Sequence, residues 1–113
     1  MHAVQPIRIL NGKLVVFGEG NLISNQTSAC CPAASQDGMI VLLTITVDSR
    51  GARVTFIRYV PVWVRHPDFA VLPAGTAWRT DPADAAALRA SYERTVAVAG
   101  RGPRIQSIPA QLP

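Results

Sequence analysis

Side chains able to do chemistry are few in this chain. The histidines are His2 and His66, the thiols are the adjacent Cys30 and Cys31, and the carboxylates are Glu19, Asp37, Asp48, Asp68, Asp81, Asp84 and Glu93. No HExxH, HxH or DxH spacing occurs, and there is no nucleophile elbow or ordered Ser, His and acid set, so a self-contained metal or serine hydrolase site has no local signature. A bond between Cys30 and Cys31 would close a strained ring, so they read as free thiols or as bonded to a partner beyond the chain. Without a second thiol pair they do not make a zinc site. Asp48 falls in a turn, Asp81 and Asp84 at a helix start, and each has a sufficient structural use there. His66 and Asp68 flank Pro67 and read as exposed loop residues, with a reaching pair as the alternative. Asn25-Gln26-Thr27 matches the glycosylation sequon by its letters, a match too short to carry weight.

One segment stands out. Gly18-Glu19-Gly20-Asn21 directly follows an apolar run, Leu14-Val15-Val16-Phe17. It lacks the third glycine of GxGxxG and the Lys-Ser/Thr of a phosphate loop, so it is not a nucleotide-binding motif. Glycine permits a tight bend or a close approach of backbone, and it places Asn21 at the rim of a sheet. There the amide can coordinate a metal through its oxygen, orient a water, or cap its own turn.

The elements that must position these residues follow from periodicity. Val4 to Leu10 and Lys13 to Phe17 are β-prone runs separated by Asn11-Gly12, the dipeptide best suited to a type I′ hairpin turn. Residues 18–38 form a long loop of small and polar residues, a length that points to a functional loop, with mobility as the alternative. Met39 to Val47 is an almost unbroken apolar strand, Asp48-Ser49-Arg50-Gly51 a turn, and Ala52 to Val64 a return strand, which makes a second, longer hairpin. Pro61 cannot donate a ladder hydrogen bond, which predicts an edge or a bulge. Strand period puts Arg53 and Arg58 on opposite faces. A helix is expected over about 82–99, with Asp81 as N-cap, Pro82 in the first turn, a buried stripe of Ala85, Leu88, Tyr92, Val96 and Ala99, and Gly100 at its end. The tail 101–113 holds three prolines and reads as an extended strap without regular structure. The fold class is therefore α+β, two β-hairpins of a mostly antiparallel sheet plus one amphipathic helix.

The 113 residues leave room for one domain or part of one. With 49% hydrophobic and 16% charged residues, a chain held open by its charge is excluded for most of the length. The net charge of +4 arises from residue 50 onward, with nine basic and four acidic side chains against two and three before it. Ten of the eleven basic residues are arginines scattered without a block, so no specific nucleic-acid partner is expected. No apolar window reaches the length of a transmembrane segment, and the first residues lack a secretory signal pattern.

The order of features resembles a known family. Met1-His2-Ala3-Val4-Gln5-Pro6-Ile7, Asn11-Gly12-Lys13, Val16-Phe17-Gly18-Glu19-Gly20-Asn21-Leu22-Ile23-Ser24-Asn25-Gln26 and Asp37-Gly38-Met39-Ile40-Val41 look like the C-terminal part of the bacterial capsule synthesis protein CapA family. That family is associated with poly-gamma-glutamate synthesis and is similar to calcineurin-like metallophosphoesterases. The resemblance runs from His2 to about Val64 and rests on order and spacing. It implies that residues 1–113 are the C-terminal portion of a four-layer αββα sandwich and that His2 is a single metal ligand. By the same resemblance His2 falls on the family's last metal histidine and Gly20-Asn21 on the glycine and asparagine of its strand-end motif, so that Gly18, Glu19, Gly20 and Asn21 would form the site rim. Gly18 and Glu19 stand where commoner members have Ser and Leu.

The family's other ligands lie in upstream segments. The resemblance therefore implies a divalent metal, Mn, Zn, Mg or Fe, for the complete parent only and none for this chain alone. Met1 directly before His2 reads as an internal start, a split gene or a truncation. A metal-dependent phosphatase-like hydrolase when complete, inactive alone, and a location at the cell envelope or the extracellular face of the membrane are what the family suggests. The apolar faces of the hairpins exceed what one helix covers, so the expected partner is the missing N-terminal half or a second copy at an exposed sheet. The alternative is a small β-rich protein-interaction module without catalytic activity.

Overall fold

In the computed structural model, which describes residues 2–112, the Asn11-Gly12 signal forms its turn. Strands β1 (Ile7–Leu10) and β2 (Lys13–Val16) pair antiparallel with Leu10 opposite Lys13, and Asn11 and Gly12 adopt φ of 50° and 76°. Positive φ at both central residues gives a twist that matches the flanking strands.

The second hairpin is the backbone of the molecule. β3 (Asp37–Asp48) and β4 (Gly51–Val64) pair from Asp37 opposite Trp63 to Asp48 opposite Gly51. Twelve residues of strand span about 40 Å. The outer part of this hairpin extends beyond the rest of the domain, so the radius of gyration is 14.9 Å where about 13 Å would suit a compact chain of this length. The register shifts between Thr44 and Ile45, leaving Thr55 of β4 as the extra residue of a bulge. Arg104 donates to the carbonyls of Val54 and Thr55 there, at 2.8 and 2.9 Å. The bulge also overturns the expectation for Arg53 and Arg58. They stand opposite Thr46 and Leu42, both even-numbered in β3, and so share one face.

Pro61 is neither at an edge nor at the bulge. β4 is the central strand of a four-stranded sheet, with β3 on one side and two short strands sharing the other, β5 (Val71–Pro73, antiparallel) and β6 (Ile105–Ser107, parallel). The Met39 N–H turns away from β4 to Glu19, so Met39 and Pro61 form a non-hydrogen-bonded pair and the Pro61 nitrogen also points away from β3. It meets the gap between β6, which reaches Tyr59, and β5, which starts at Val62. A missing donor costs nothing in that gap. The tail is thus no unstructured strap, because Ile105, with 7% exposure, is drawn into the core beside Ile57 and supplies β6.

The helix α1 (Ala85–Ala99) buries Leu88, Tyr92 and Ala99 against the sheet, and the Tyr59 hydroxyl donates to the Gly100 carbonyl at 2.9 Å. It begins at Ala85 and not near Pro82. The Asp81 carboxylate does not cap it, because Arg65 takes it at 2.6 Å, and Asp84, the residue before the helix, makes no side-chain cap either, lying 3.9 Å from Arg65. A charge-assisted bond to a guanidinium outweighs capping by the same oxygen. The result is an α+β domain of a two-stranded sheet, a four-stranded sheet and one helix. No helix among the described residues is long and apolar enough to cross a membrane.

Candidate functional site

The residues after β2 pair with the start of the chain and then cross to β3. Gln5 N–H donates to Gly18 O at 2.9 Å, Val4 bridges Glu19, and Gly20 bridges Gly38. Asn21 N–H donates to Asp37 O at 3.2 Å and Met39 N–H to Glu19 O at 2.9 Å. Residues 18–21 therefore act as a short extra rung on β3, welding the first hairpin to the second. The rest of the 18–38 stretch is irregular up to a 3-10 turn at Ala33–Gln36, and its last two residues already belong to β3.

This weld brings His2 and Asn21 together. His2 Nδ1 lies 3.3 Å from Asn21 Oδ1, while Asn21 Nδ2 donates to Ser35 O at 2.8 Å and to His2 O at 3.3 Å. The two carbonyls fix which way the amide faces, because only its NH2 can donate to them. Its oxygen then asks for a proton on Nδ1, which leaves the Nε2 lone pair free of this contact. Of the uses expected for Asn21, the geometry shows a tie across three segments, not a cap on its own turn. A cleft of about 320 Å³ opens beside His2, lined by Gln26, Cys30, Cys31 and Ser35 among others. Both cysteines are free thiols. Hydrogen bonding from Cys31 holds the Cys30 thiol below its ordinary pKa and, reciprocally, raises that of Cys31.

Glu19 is at the rim but apart from His2. Its neighbours Gly20, Leu22, Met39, Ile40 and Val41 line a separate notch of about 250 Å³ at the edge of β3. Behind the rim, the Asp37 carboxylate is buried and takes a two-pronged bond from Arg94 of α1, Nε to Oδ2 at 2.8 Å and Nη2 to Oδ1 at 2.9 Å. This bond raises the Arg94 pKa further. Sequence reading missed the pair, since nothing in a helical arginine announces a carboxylate 57 positions away.

His66 and Asp68 do not reach for one another. The His66 ring meets Phe69 edge-on at 4.9 Å, and Asp68 is held by Arg65. The guanidinium lowers the Asp68 pKa to about 2. A carboxylate whose folded pKa lies below its ordinary 3.8 stabilises the fold above about pH 4, and that contribution is lost as pH falls through about 2. Asp68→Asn is therefore expected to melt below the native chain at pH 7 and to converge on it as pH falls below about 2, as thermal denaturation across that range would show. A constant difference at every pH would refute the pairing.

Among the described residues no group of three or more His, Cys, Asp or Glu side chains converges as metal ligands would. His2 offers one imidazole, and a two-metal centre needs several ligands around ions about 3.5–4 Å apart. The residues present thus do not by themselves fit such a centre. Comparison with protein-family models, with curated proteins and with solved structures finds no match to the chain. The structure defines an α+β domain with a histidine held by an asparagine at the rim of its sheet.

Proposed function

We propose that the chain is the C-terminal part of a CapA-like protein linked to capsule or poly-gamma-glutamate biosynthesis, a metal-dependent, phosphatase-like hydrolase when complete. The observation that carries this reading is the His2–Asn21 contact. The two positions that resemble the family's last metal histidine and its strand-end asparagine are 19 residues apart in sequence and lie side by side, with His2 Nε2 left free. Asn21 is then a positioning residue that sets the tautomer and angle of the imidazole. The sheet supports the same reading. On the face opposite α1, beside the exposed Arg58, Ile40 and Leu42 are exposed and Phe56 and Val60 half-buried, an apolar patch that suits the side a second sheet of a four-layer sandwich would cover.

The test starts with the coding DNA immediately upstream of Met1. It is expected to encode Asp, Asn and His metal motifs, and a stretch without them would sink the proposal. The chain extended by that segment is expected to hydrolyse a phosphate monoester with manganese. His2→Ala in the extended protein should weaken manganese binding at least tenfold by calorimetry and leave folding unchanged. Undiminished binding would remove His2 from the ligand set.

A further inference from the structure

The outer edge of β3 is open from Val41 to Val47. Since the Met39 N–H points away from β4, strand alternation directs the N–H and C=O groups of Val41, Leu43, Ile45 and Val47 outward as well. The bulge does not disturb this, because its extra residue lies in β4. The same four side chains share the helix-bearing face, but the cover gives out along it, and Leu43, Ile45 and Val47 are 52%, 57% and 74% exposed. Residues 40–47 contain no Lys, Pro or acid, the usual protections of an edge strand.

We propose that this edge pairs with the same edge of a second copy, antiparallel about a two-fold axis at Ile45. That register sets Leu43 opposite Val47, Ile45 opposite Ile45 and Val47 opposite Leu43, an aliphatic ladder with about six interchain hydrogen bonds. Thr44 and Thr46 face one another on the other side of the sheet. The hairpin tip then brings Ser49 and Arg50 of one copy to Val41 and Ile40 of the other, at the notch that Glu19 lines. Charge complementarity selects this occupant. Among the described residues Glu19 makes no ion pair, and the Arg50 side chain is 80% exposed and only 3.4 Å from an Asp48 that Arg53 already holds at 2.7 Å. The pairing closes at two. On the other side of β4, β6 takes Ile57–Tyr59, β5 takes Val62–Val64 and the Arg104 guanidinium takes the Val54 and Thr55 carbonyls, so β3 is the one long edge left open.

Sedimentation of the 113-residue chain tests this independently of any metal site. The expected mass is twice 12.1 kDa at about 100 µM. Ile45→Lys places two like charges opposite each other on the axis and should raise the dissociation constant tenfold or more, with an unchanged circular dichroism spectrum. Glu19→Lys and Arg50→Glu should each weaken the dimer about fivefold, and the two together should restore it to within about twofold. A monomer at that concentration, a folded Ile45→Lys chain that still dimerises, or assemblies beyond two would overturn the proposal. Should Ile45→Lys not fold, the charge pair decides, and absence of recovery in the double variant overturns it.

Discussion

Arg94→Met is expected to destabilise the domain by about 3 kcal/mol, a large share of the stability of a chain this size. The reason is the position of its partner. Asp37 is 2% exposed at the first pair of the β3–β4 ladder, and without the guanidinium fork its carboxylate stays in the interior without its countercharge. Arg94 is differently placed, with about a third of its side chain exposed. Asp37→Asn leaves a cation that can turn to solvent, and its expected cost is about half as large. Asp37→Asn combined with Arg94→Met should be milder than Arg94→Met alone, because no buried charge remains. Urea denaturation of the four chains measures this ordering. Equal losses for the two single variants would mean that the buried carboxylate is not the seat of the effect. The consequence for the site is direct, since Asp37 O also receives the Asn21 N–H and the ion pair thus anchors the rim to α1.

What the sequence disclosed and what it concealed divide along sequence separation. The first hairpin was legible because Asn11-Gly12 acts within four residues, and the second because β3 and β4 are neighbours with a turn between them. The buried stripe of Leu88, Tyr92 and Ala99 was legible as a period. The start of α1 was misread because Asp81 looks like an N-cap from its neighbours alone, while the group that claims it, Arg65, is 16 residues upstream. β5 and β6 are three residues each and exist only because β4 offers them an edge, so no local pattern marks them. Pro61 misled for the same reason, since its tolerance depends on where β6 stops and β5 begins. At the site, type and order picked out Gly20 and Asn21, but the contacts that define them, with His2 and the Ser35 and Asp37 carbonyls, are long-range. The bulge at Thr55 has no residue signature at all and inverts the facing of Arg53.

Gly20→Ala should cost about 3 kcal/mol, of which only about 1 comes from the backbone angle. Its φ is +76°, the same as that of Gly12, but their surroundings differ. A methyl group at Gly12 meets nothing within 4 Å, whereas one at Gly20 would lie 2.6 Å from Asp37 O and 3.0 Å from a Val4 methyl. A backbone carbonyl inside a strand cannot give way, so the 18–21 segment must lift from β3. That would break the Asn21 to Asp37 and Met39 to Glu19 hydrogen bonds and release Asn21 from His2. Gly12→Ala serves as the control, carrying the dihedral penalty without the clash. Hydrogen exchange should show the Asn21 and Met39 amides losing protection in Gly20→Ala and keeping it in Gly12→Ala. The His2 imidazole resonances should move toward those of an unconstrained histidine in the first variant alone. Identical stability and exchange in the two variants would mean that the close approach of Gly20 to Asp37 does not hold the rim, and the tie between His2 and Asn21 would then lose its structural basis.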